Sequence, residues 1–222
     1  MEMLDSLPVE LSVEEVKDGL RTIDQDIVQR LLDVAKPLIS PKAAYRTCYI
    51  QEKYEDRVVI YGITLTSRVL RKNLDQVEKV FPYIVTIGQR FETKADDCAD
   101  LLEKYSLDTI GNIALMKARK HLENHLRSRF GISSLSSMGP GSLQDWPIEE
   151  QRPLFSILES AKETIGVKLT ESLLMIPRKS VSGIYFPTEV TFHSCQLCPR
   201  EHCGGRKARY NKDLAKEYGI LK

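Results

Sequence analysis

Residues 165–186 carry two apolar, strand-like segments separated by a proline, and this arrangement limits what the C-terminal half can form. The first segment spans residues 169–176 and ends at Pro177, because proline cannot donate a hydrogen bond to a strand ladder. The polar sequence Ser-Val-Ser-Gly at 180–183 then leads into the second segment at 184–186. Such a corner indicates either a tight turn or bulge between buried strands, or a binding place for a small polar ligand.

The rest of the chain alternates β-rich and helical stretches. Residues 43–65 carry two β-rich runs on either side of a charged segment at 52–57, which predicts a hairpin. Apolar spacing and end signals predict a short helix that opens at Ser12 and further helices over 24–39, 91–104, 106–130 and 148–164. Strands, then helices, then strands again predict an α+β fold with a mixed or antiparallel sheet.

Charge and hydropathy exclude several kinds of partner. The 222 residues carry a formal net charge of +1, so the charge balance favours neither nucleic acid nor an anionic membrane. The acidic start of the chain lacks the apolar stretch of a signal peptide, and no apolar run approaches the ~20 residues of a membrane-spanning helix. We therefore expect a cytoplasmic protein that binds neither membrane nor nucleic acid.

The stretch at residues 165–186 also resembles part of a known protein family. Leu169-Thr170-Glu171-Ser172, Met175, Pro177 and the run from Ser180 to Phe186 resemble the C-terminal activation domain of cobalamin-dependent methionine synthase. This resemblance implies a single curved α+β domain with a mixed or antiparallel sheet and several helices. We expect residues 1–192 to form this activation-domain-like part, and residues 193–222 to form a Cys-rich, metal-binding tail packed on it.

The resemblance further implies a binding site for S-adenosylmethionine. In the family, an arginine three residues before a Pro-Gly pair lies in the segment that holds this ligand. The corresponding pair here is Pro140-Gly141, with Ser137 in place of the arginine and Ser142 in place of a following tyrosine. A plain surface turn is the alternative for 139–141. The ligand contacts that the resemblance implies are Gly139, Pro140, Gly141, Ser180, Ser182, Gly183 and Tyr185.

The family's acidic ligand residues have no evident counterpart on the predicted long helix. Asn112 and Met116 occupy positions where a glutamate would fit, and the nearest carboxylates are those of Asp108 and Glu123. A missing ligand group costs about 1–3 kcal/mol of binding when it is buried and unreplaced.

Three cysteines, Cys195, Cys198 and Cys203, crowd into a short stretch that departs from the family pattern. Three thiolates on one loop suit a [4Fe–4S] cluster or a Zn²⁺ ion, and free or redox-active thiols are the remaining interpretation. The sequence does not fix a fourth ligand; His193, His202, Cys48 and Cys98 are the candidates.

The resemblance implies an accessory protein for the reductive reactivation of a corrinoid-dependent methyltransferase, such as a methionine synthase core. No catalytic residue is assigned to this chain. Since the corrinoid-binding DxHxxG pattern is absent, cobalamin is expected only on a partner, with flavodoxin or ferredoxin as the electron donor. The alternative is an iron–sulfur redox or docking module for a corrinoid protein, without S-adenosylmethionine binding; a zinc-pinned interaction subunit is a third possibility.

Overall fold

The computed structural model describes residues 1–20 and 24–220, and these fall into two compact units. Unit 1 consists of Met1–Ala44, Ile84–His125 and Ser160–Val181. Unit 2 consists of Tyr45–Tyr83, Leu126–Glu159 and Ser182–Lys222, of which residues 221–222 lie outside the described part. The chain therefore contributes three separate segments to each unit.

Strands and helices alternate along the chain. The strands are β1 (Glu2–Leu4), β2 (Lys42–Tyr45), β3 (Cys48–Lys53), β4 (Arg57–Ile60), β5 (Ile63–Thr66), β6 (Lys79–Thr86), β7 (Leu135–Met138), β8 (Lys168–Leu169), β9 (Met175–Ile176) and β10 (Ser180–Pro187). The helices are α1 (Val13–Gly19), α2 (Gln25–Ala35), α3 (Arg68–Asn73), α4 (Gln89–Asp96), α5 (Leu101–Phe130), α6 (Gln151–Ile157), α7 (Ala161–Ile165) and α8 (Lys212–Glu217). These elements confirm the predicted α+β class.

The first helices of unit 1 begin at the predicted caps. The Ser12 hydroxyl accepts a hydrogen bond from the Glu15 backbone N–H at 3.3 Å, and the Glu15 carboxylate accepts one from the Ser12 backbone N–H at 3.2 Å. This reciprocal capping pairs two backbone donors that a helix start leaves without partners. Asp24 caps α2 in a similar way, accepting from the Asp26 backbone N–H at 2.9 Å.

The boundary between α4 and α5 differs from the sequence prediction. The sequence predicts helices over 91–104 and 106–130, whereas α4 is shorter and α5 starts before residue 106. Asp100 supplies the earlier start, because its carboxylate accepts a hydrogen bond from the Glu103 backbone N–H at 2.8 Å. Ser106 lies inside the helix, where its hydroxyl donates to a backbone carbonyl one turn earlier at 2.7 Å.

An apolar core holds α1, α2, α4 and α5 together in unit 1. Val16, Leu32, Phe91 and Ile110 are among its fully or almost fully buried side chains. None of the helices in the described ranges is both long and apolar enough to cross a membrane.

Unit 2 is built around a sheet. Strands β6, β3, β4 and β5 are neighbours in this order, and β10 pairs with both β6 and β7. The hairpin predicted around 52–57 is confirmed, since β3 and β4 pair antiparallel with Ile50 opposite Ile60. Val58 and Leu65 lie opposite each other on β4 and β5, and both pack into a core with Trp146.

Residues 169–176 do not form the single strand that the sequence predicts. Strands β8 and β9 pair in a short antiparallel hairpin, with Leu169 opposite Met175. Thr170 closes the turn between them: its backbone N–H donates to the Leu174 carbonyl at 2.9 Å, and its hydroxyl accepts from the Leu174 backbone N–H at 3.0 Å. The polar side chain of Thr170 therefore overrides the apolar character of the run.

Two further boundaries were predicted wrongly. The corner expected at 180–183 is part of the continuous strand β10. The helix expected over 148–164 is divided into a 3-10 turn at Ile148–Glu150, then α6, then α7.

Residues beyond 192 contribute to the core of unit 2. Leu197 and Ala215 are buried there together with Phe192, and the Phe192 and Tyr218 rings stack with centroids 5.8 Å apart. The division into a domain over 1–192 and a tail over 193–222 stays a prediction, and residues 221–222 lie outside the described part.

Candidate ligand-binding site

The antiparallel pair β7–β10 in unit 2 brings several of the predicted ligand residues together. Ile184 lies opposite Met138, and Tyr185 lies opposite Ser137, the residue in place of the family arginine. The Tyr185 ring stacks on that of Tyr83, with centroids 4.4 Å apart and an angle of 25° between the planes. Both tyrosines are buried, so Tyr185 presents little side-chain surface to solvent.

Two predicted ligand glycines lie where β7 and β10 approach closely. A Cβ at Gly183 would lie 2.5 Å from the Met138 carbonyl oxygen and 3.1 Å from the Tyr83 hydroxyl. A Cβ at Gly139 would lie 2.8 Å from the Ser182 carbonyl oxygen. Close strand packing is therefore a sufficient reason for glycine at both positions.

After β7 the chain enters a tight turn that contains Pro140 and Gly141. Gly141 has φ +80°, a backbone conformation that glycine adopts without steric cost. Its backbone N–H donates to the Trp146 carbonyl at 2.8 Å, and the Ser142 N–H donates to the Gly139 carbonyl at 3.1 Å. Pro140 is buried, whereas Gly141 and Ser142 are exposed. The exposed residues Gly141 and Ser142 therefore lie next to the buried Pro140 in this turn.

The hydroxyl of Ser182 stands out chemically. This side chain is buried, and its Oγ has no hydrogen-bond partner among the residues that the structure describes. A buried polar atom without a partner is costly, so Ser182 Oγ is a group that a ligand would satisfy.

Ser180, in contrast, is satisfied within unit 1. Its buried hydroxyl donates to the Pro177 carbonyl at 2.6 Å and lies 2.9 Å from Thr86 Oγ1. Thr86 Oγ1 also accepts from the Gly88 backbone N–H at 3.1 Å. These contacts give Ser180 a structural role beside the predicted ligand role.

Lys179, also in unit 1, binds the polar residues of α5 that the sequence analysis singled out. Its ammonium group lies 2.5 Å from the Asp108 carboxylate and 2.7 Å from the Asn112 side-chain oxygen. The side chain of Lys179 is 17% exposed. Asp108 and Asn112 therefore already have an internal cation as partner.

The preceding residue, Arg178, binds two carboxylates on α4, a pairing that the sequence analysis did not predict. Its side chain donates to Glu92 at 2.5 Å and to Asp96, and these hydrogen bonds, with Asp96 the stronger influence, raise the pKa of Arg178. Glu92 also accepts from the Arg178 backbone N–H at 2.9 Å and is buried. Two features of the sequence could have predicted this pairing: the adjacent basic residues after Pro177, and the acidic residues at 92 and 96, which are spaced i and i+4.

The cysteine-rich segment forms a compact loop in unit 2. Residues Ser194–Leu197 make a 3-10 turn, and the Cys198 backbone N–H donates to the Cys195 carbonyl at 3.3 Å. The Arg206 guanidinium closes the loop, donating to the carbonyls of Cys195 at 3.2 Å and Cys198 at 3.3 Å. The Lys207 backbone N–H donates to Cys195 Sγ at 3.4 Å.

The metal centre that the sequence predicts at Cys195, Cys198 and Cys203 is not supported. Within the described ranges, no group of three or more Cys, His, Asp or Glu side chains converges to hold a metal ion. Cys195 and Cys198 are partly exposed and Cys203 is exposed, all as free cysteines. The spacing of the cysteines is typical of a metal site, but the hydrogen bonds that hold this loop come from the Arg206 guanidinium.

The cysteine loop nevertheless lies beside the predicted ligand residues. The hydroxyls of Ser194 and Ser142 are 3.5 Å apart, and the Phe192 backbone N–H donates to Ser136 Oγ at 2.7 Å. The structure thus brings together, within unit 2, these residues from the sequence prediction: Gly139, Pro140, Gly141, Ser182, Gly183, Tyr185, Cys195 and Cys198. Ser180 belongs to unit 1.

Two comparisons relate this chain to known proteins. Residues 137–208 match the family model for the activation domain of vitamin B12-dependent methionine synthase. The fold is similar to that of the MetH reactivation domain, whose crystal structure was determined with AdoHcy bound: the TM-score is 0.55 at 17% sequence identity, over 87% of this chain and 81% of that one. No curated protein matches the chain.

The family match covers Ser137 and Met138 of β7, the whole of β10 and the cysteine loop, and the structural match extends over most of both units. The chain is thus a protein similar to the activation domain of vitamin B12-dependent methionine synthase.

Proposed function

We propose that this chain binds S-adenosylmethionine and supports the reductive reactivation of a cobalamin-dependent methyltransferase such as methionine synthase. The observation that carries the proposal is the family match over residues 137–208, which contain the last two residues of β7 and all of β10. The MetH reactivation domain, which has a similar fold, binds AdoHcy, the demethylated form of the proposed ligand.

The residues present fit such a ligand at one atom in particular. Ser182 Oγ is buried without a partner among the described residues, and it lies on the strand that faces the Gly139–Ser142 turn. A polar ligand that reached Ser182 would satisfy this hydroxyl, while the backbone carbonyls of Gly141 and Ser142 would accept hydrogen bonds at the rim, since the N–H groups of both residues already donate within the turn. Ser137 is too short to replace the bidentate arginine of the family, so we expect weaker binding of the ligand's carboxylate.

When bound, S-adenosylmethionine supplies an electrophilic methyl group. The part of this chain would be positional: the serine and glycine backbone groups orient the ligand, and the buried Tyr83–Tyr185 stack excludes water from the adjoining sheet face. No acid, base or nucleophile is required of this chain for a transfer to a reduced corrinoid on a partner.

The partner in this proposal is the corrinoid-bearing part of a methyltransferase, and the electron comes from a separate donor protein of the flavodoxin or ferredoxin class. A cytoplasmic location follows from these partners. No observation on the described residues favours the iron–sulfur docking module that the sequence left open.

The first test is anaerobic calorimetric titration of the full chain with S-adenosylmethionine and with AdoHcy. We expect measurable binding by the native chain, and a weakening of about 5- to 150-fold in Ser182→Ala, the equivalent of about 1–3 kcal/mol for one buried hydrogen bond. Ser156→Ala is the matched control, since Ser156 is an exposed serine of the same unit and should leave the affinity unchanged.

Binding alone does not establish reactivation, so a second assay is needed. An oxidised methionine synthase that lacks its own activation domain should regain turnover when this chain, a reductant and S-adenosylmethionine are all present. Absence of binding, or binding that Ser182→Ala leaves unaltered, would contradict the assigned site. Binding without recovery of turnover would contradict the reactivation role.

A further inference from the structure

The cysteine loop has chemistry that the proposed function does not use. Cys195 and Cys198 lie at the two ends of a single 3-10 turn, which the hydrogen bond from the Cys198 N–H to the Cys195 carbonyl closes at 3.3 Å. In a turn of this kind the first and last Cα atoms are less than about 7 Å apart, and disulfides span Cα separations of about 4.4–6.8 Å. The backbone therefore already holds the two cysteines within disulfide range.

Two contacts fix the loop in this conformation. The Arg206 guanidinium donates to the backbone carbonyls of both cysteines, and also to those of Ala208 at 3.2 Å and of Arg200. The Lys207 backbone N–H donates to Cys195 Sγ, which holds this sulfur at the start of the turn. Both cysteines are partly exposed as residues, and Cys198 also packs against the apolar core of unit 2.

The remaining cysteines differ in ways that provide internal controls. Cys48 is buried, and this burial raises the pKa of its thiol to about 11. In unit 1, the Cys98 thiol lies 3.6 Å from both the Asp100 carbonyl and the Glu103 carboxylate, two acceptors that occupy it. Cys203 is exposed but lies outside the 3-10 turn.

We propose that Cys195 and Cys198 form a reversible intramolecular disulfide next to the candidate ligand-binding turn. One of the two thiols, as its thiolate, attacks a sulfur of a small-molecule disulfide and expels one thiolate. The second protein thiol then attacks the mixed disulfide, which forms the Cys195–Cys198 bond and expels the other thiolate. Two protein thiols are oxidised, the reagent is reduced to two thiols, and the two protons released by the protein are taken up by the products.

A consequence for ligand binding follows from Ser194, which precedes Cys195 and whose hydroxyl lies 3.5 Å from that of Ser142. A disulfide would fix the turn beside this contact, so we expect oxidation to alter the affinity for S-adenosylmethionine. This consequence rests on the proposed function, whereas disulfide formation does not.

The test uses the full chain, reduced, assayed for zinc and iron, and then equilibrated anaerobically with glutathione buffers of increasing oxidised fraction. Trypsin places Cys195 and Cys198 in one peptide, 180–200, and Cys203 in the next, 201–206. We expect peptide 180–200 to lose two hydrogen atoms, and dithiothreitol to restore them. Cys203→Ser should behave like the native chain, whereas Cys195→Ser and Cys198→Ser should carry a glutathione adduct on the remaining thiol.

Three results would overturn the proposal. The first is a cross-link between peptides 180–200 and 201–206. The second is a native chain that carries single glutathione adducts but does not lose two hydrogen atoms from peptide 180–200. The third is stoichiometric zinc or iron that protects all three thiols.

The expected effect on ligand binding is tested separately, by titrating the reduced and the oxidised chain with S-adenosylmethionine. A difference of at least about fivefold, the lower end of typical coupling between sites, is expected. Equal affinities would refute the coupling, and no binding in either state would refute the proposed function while leaving the disulfide established.

Discussion

The substitution Gly183→Ala distinguishes two explanations for the glycine in β10: close packing against β7, or contact with a ligand. A Cβ at this position would lie 2.5 Å from the Met138 carbonyl oxygen and 3.1 Å from the Tyr83 hydroxyl, and real Cβ atoms essentially never approach within 3.0 Å. The carbonyl belongs to the paired strand β7, where Met138 lies opposite Ile184, so it cannot rotate away freely. Relief requires β7 and β10 to separate locally.

Overpacking of this kind costs about 1–3 kcal/mol, and the two simultaneous close contacts favour the upper part of that range. We expect a fall of about 2–3 kcal/mol in the free energy of unfolding of unit 2. With a urea dependence of about 2 kcal/mol per molar, the midpoint should fall by about 1 M or slightly more. Trp146, the single tryptophan, is buried in the same core, so its fluorescence follows the unfolding of this unit.

Gly205→Ala is the control, because no described atom beyond its chain neighbours lies within 4 Å of a Cβ at that position. Its free energy of unfolding should stay within about 0.5 kcal/mol of the native value. An unchanged midpoint for Gly183→Ala would refute the packing argument. If that variant kept native stability but lost affinity for S-adenosylmethionine, the glycine would be reserved for the ligand instead.

Further predictions concern stability, pH and thiol reactivity. Asp145→Ala should lower the free energy of unfolding by about 1–3 kcal/mol in urea titrations, because its side chain is only 9% exposed and accepts from Ser67 Oγ at 2.6 Å; native stability would contradict this. The hydrogen bond from Lys117 lowers the pKa of Glu15 below its ordinary value of 4.5, so the stabilisation by Glu15 is complete above that value and is lost as pH falls through the lowered pKa. Glu15→Gln should therefore be less stable than the native chain at neutral pH and equal to it in strong acid, and a gap that persisted in acid would exclude the ion pair as its cause. Iodoacetamide should alkylate Cys48 only after denaturation, since its thiol is buried with a pKa of about 11, and rapid labelling of the native chain would show that the burial is wrong.

The sequence predicts elements where local chemistry decides and fails where two local signals compete. The capping box at Ser12 and Glu15 has no rival nearby, and α1 begins there. At the start of α5, Asp100 and Ser106 are both good caps, and only the folded backbone shows that Asp100 accepts the Glu103 N–H. The apolar run at 169–176 was misleading, because it contains a turn in which Thr170 and Leu174 are joined by backbone and side-chain hydrogen bonds.

The candidate site shows the same limit. The segments that the sequence singles out, 137–142, 180–186 and the cysteines at 195 and 198, all lie in the region of the family match, and their role in binding stays a prediction. It cannot distinguish Ser182, whose hydroxyl is buried without a described partner, from Ser180, whose hydroxyl is satisfied. That difference depends on contacts with distant parts of the chain, such as Thr86, which no local pattern encodes.

The division of the chain between the two units determines when each unit can be completed during synthesis. The chain passes from one unit to the other five times, after residues 44, 83, 125, 159 and 181. During synthesis, unit 1 therefore lacks a segment until residue 181 has left the ribosome, and unit 2 waits for the segment that starts at 182. The apolar faces of α2 and β4 therefore lack their full set of packing partners until the last segment of their unit has been synthesised, and contacts between such distant segments make folding slow.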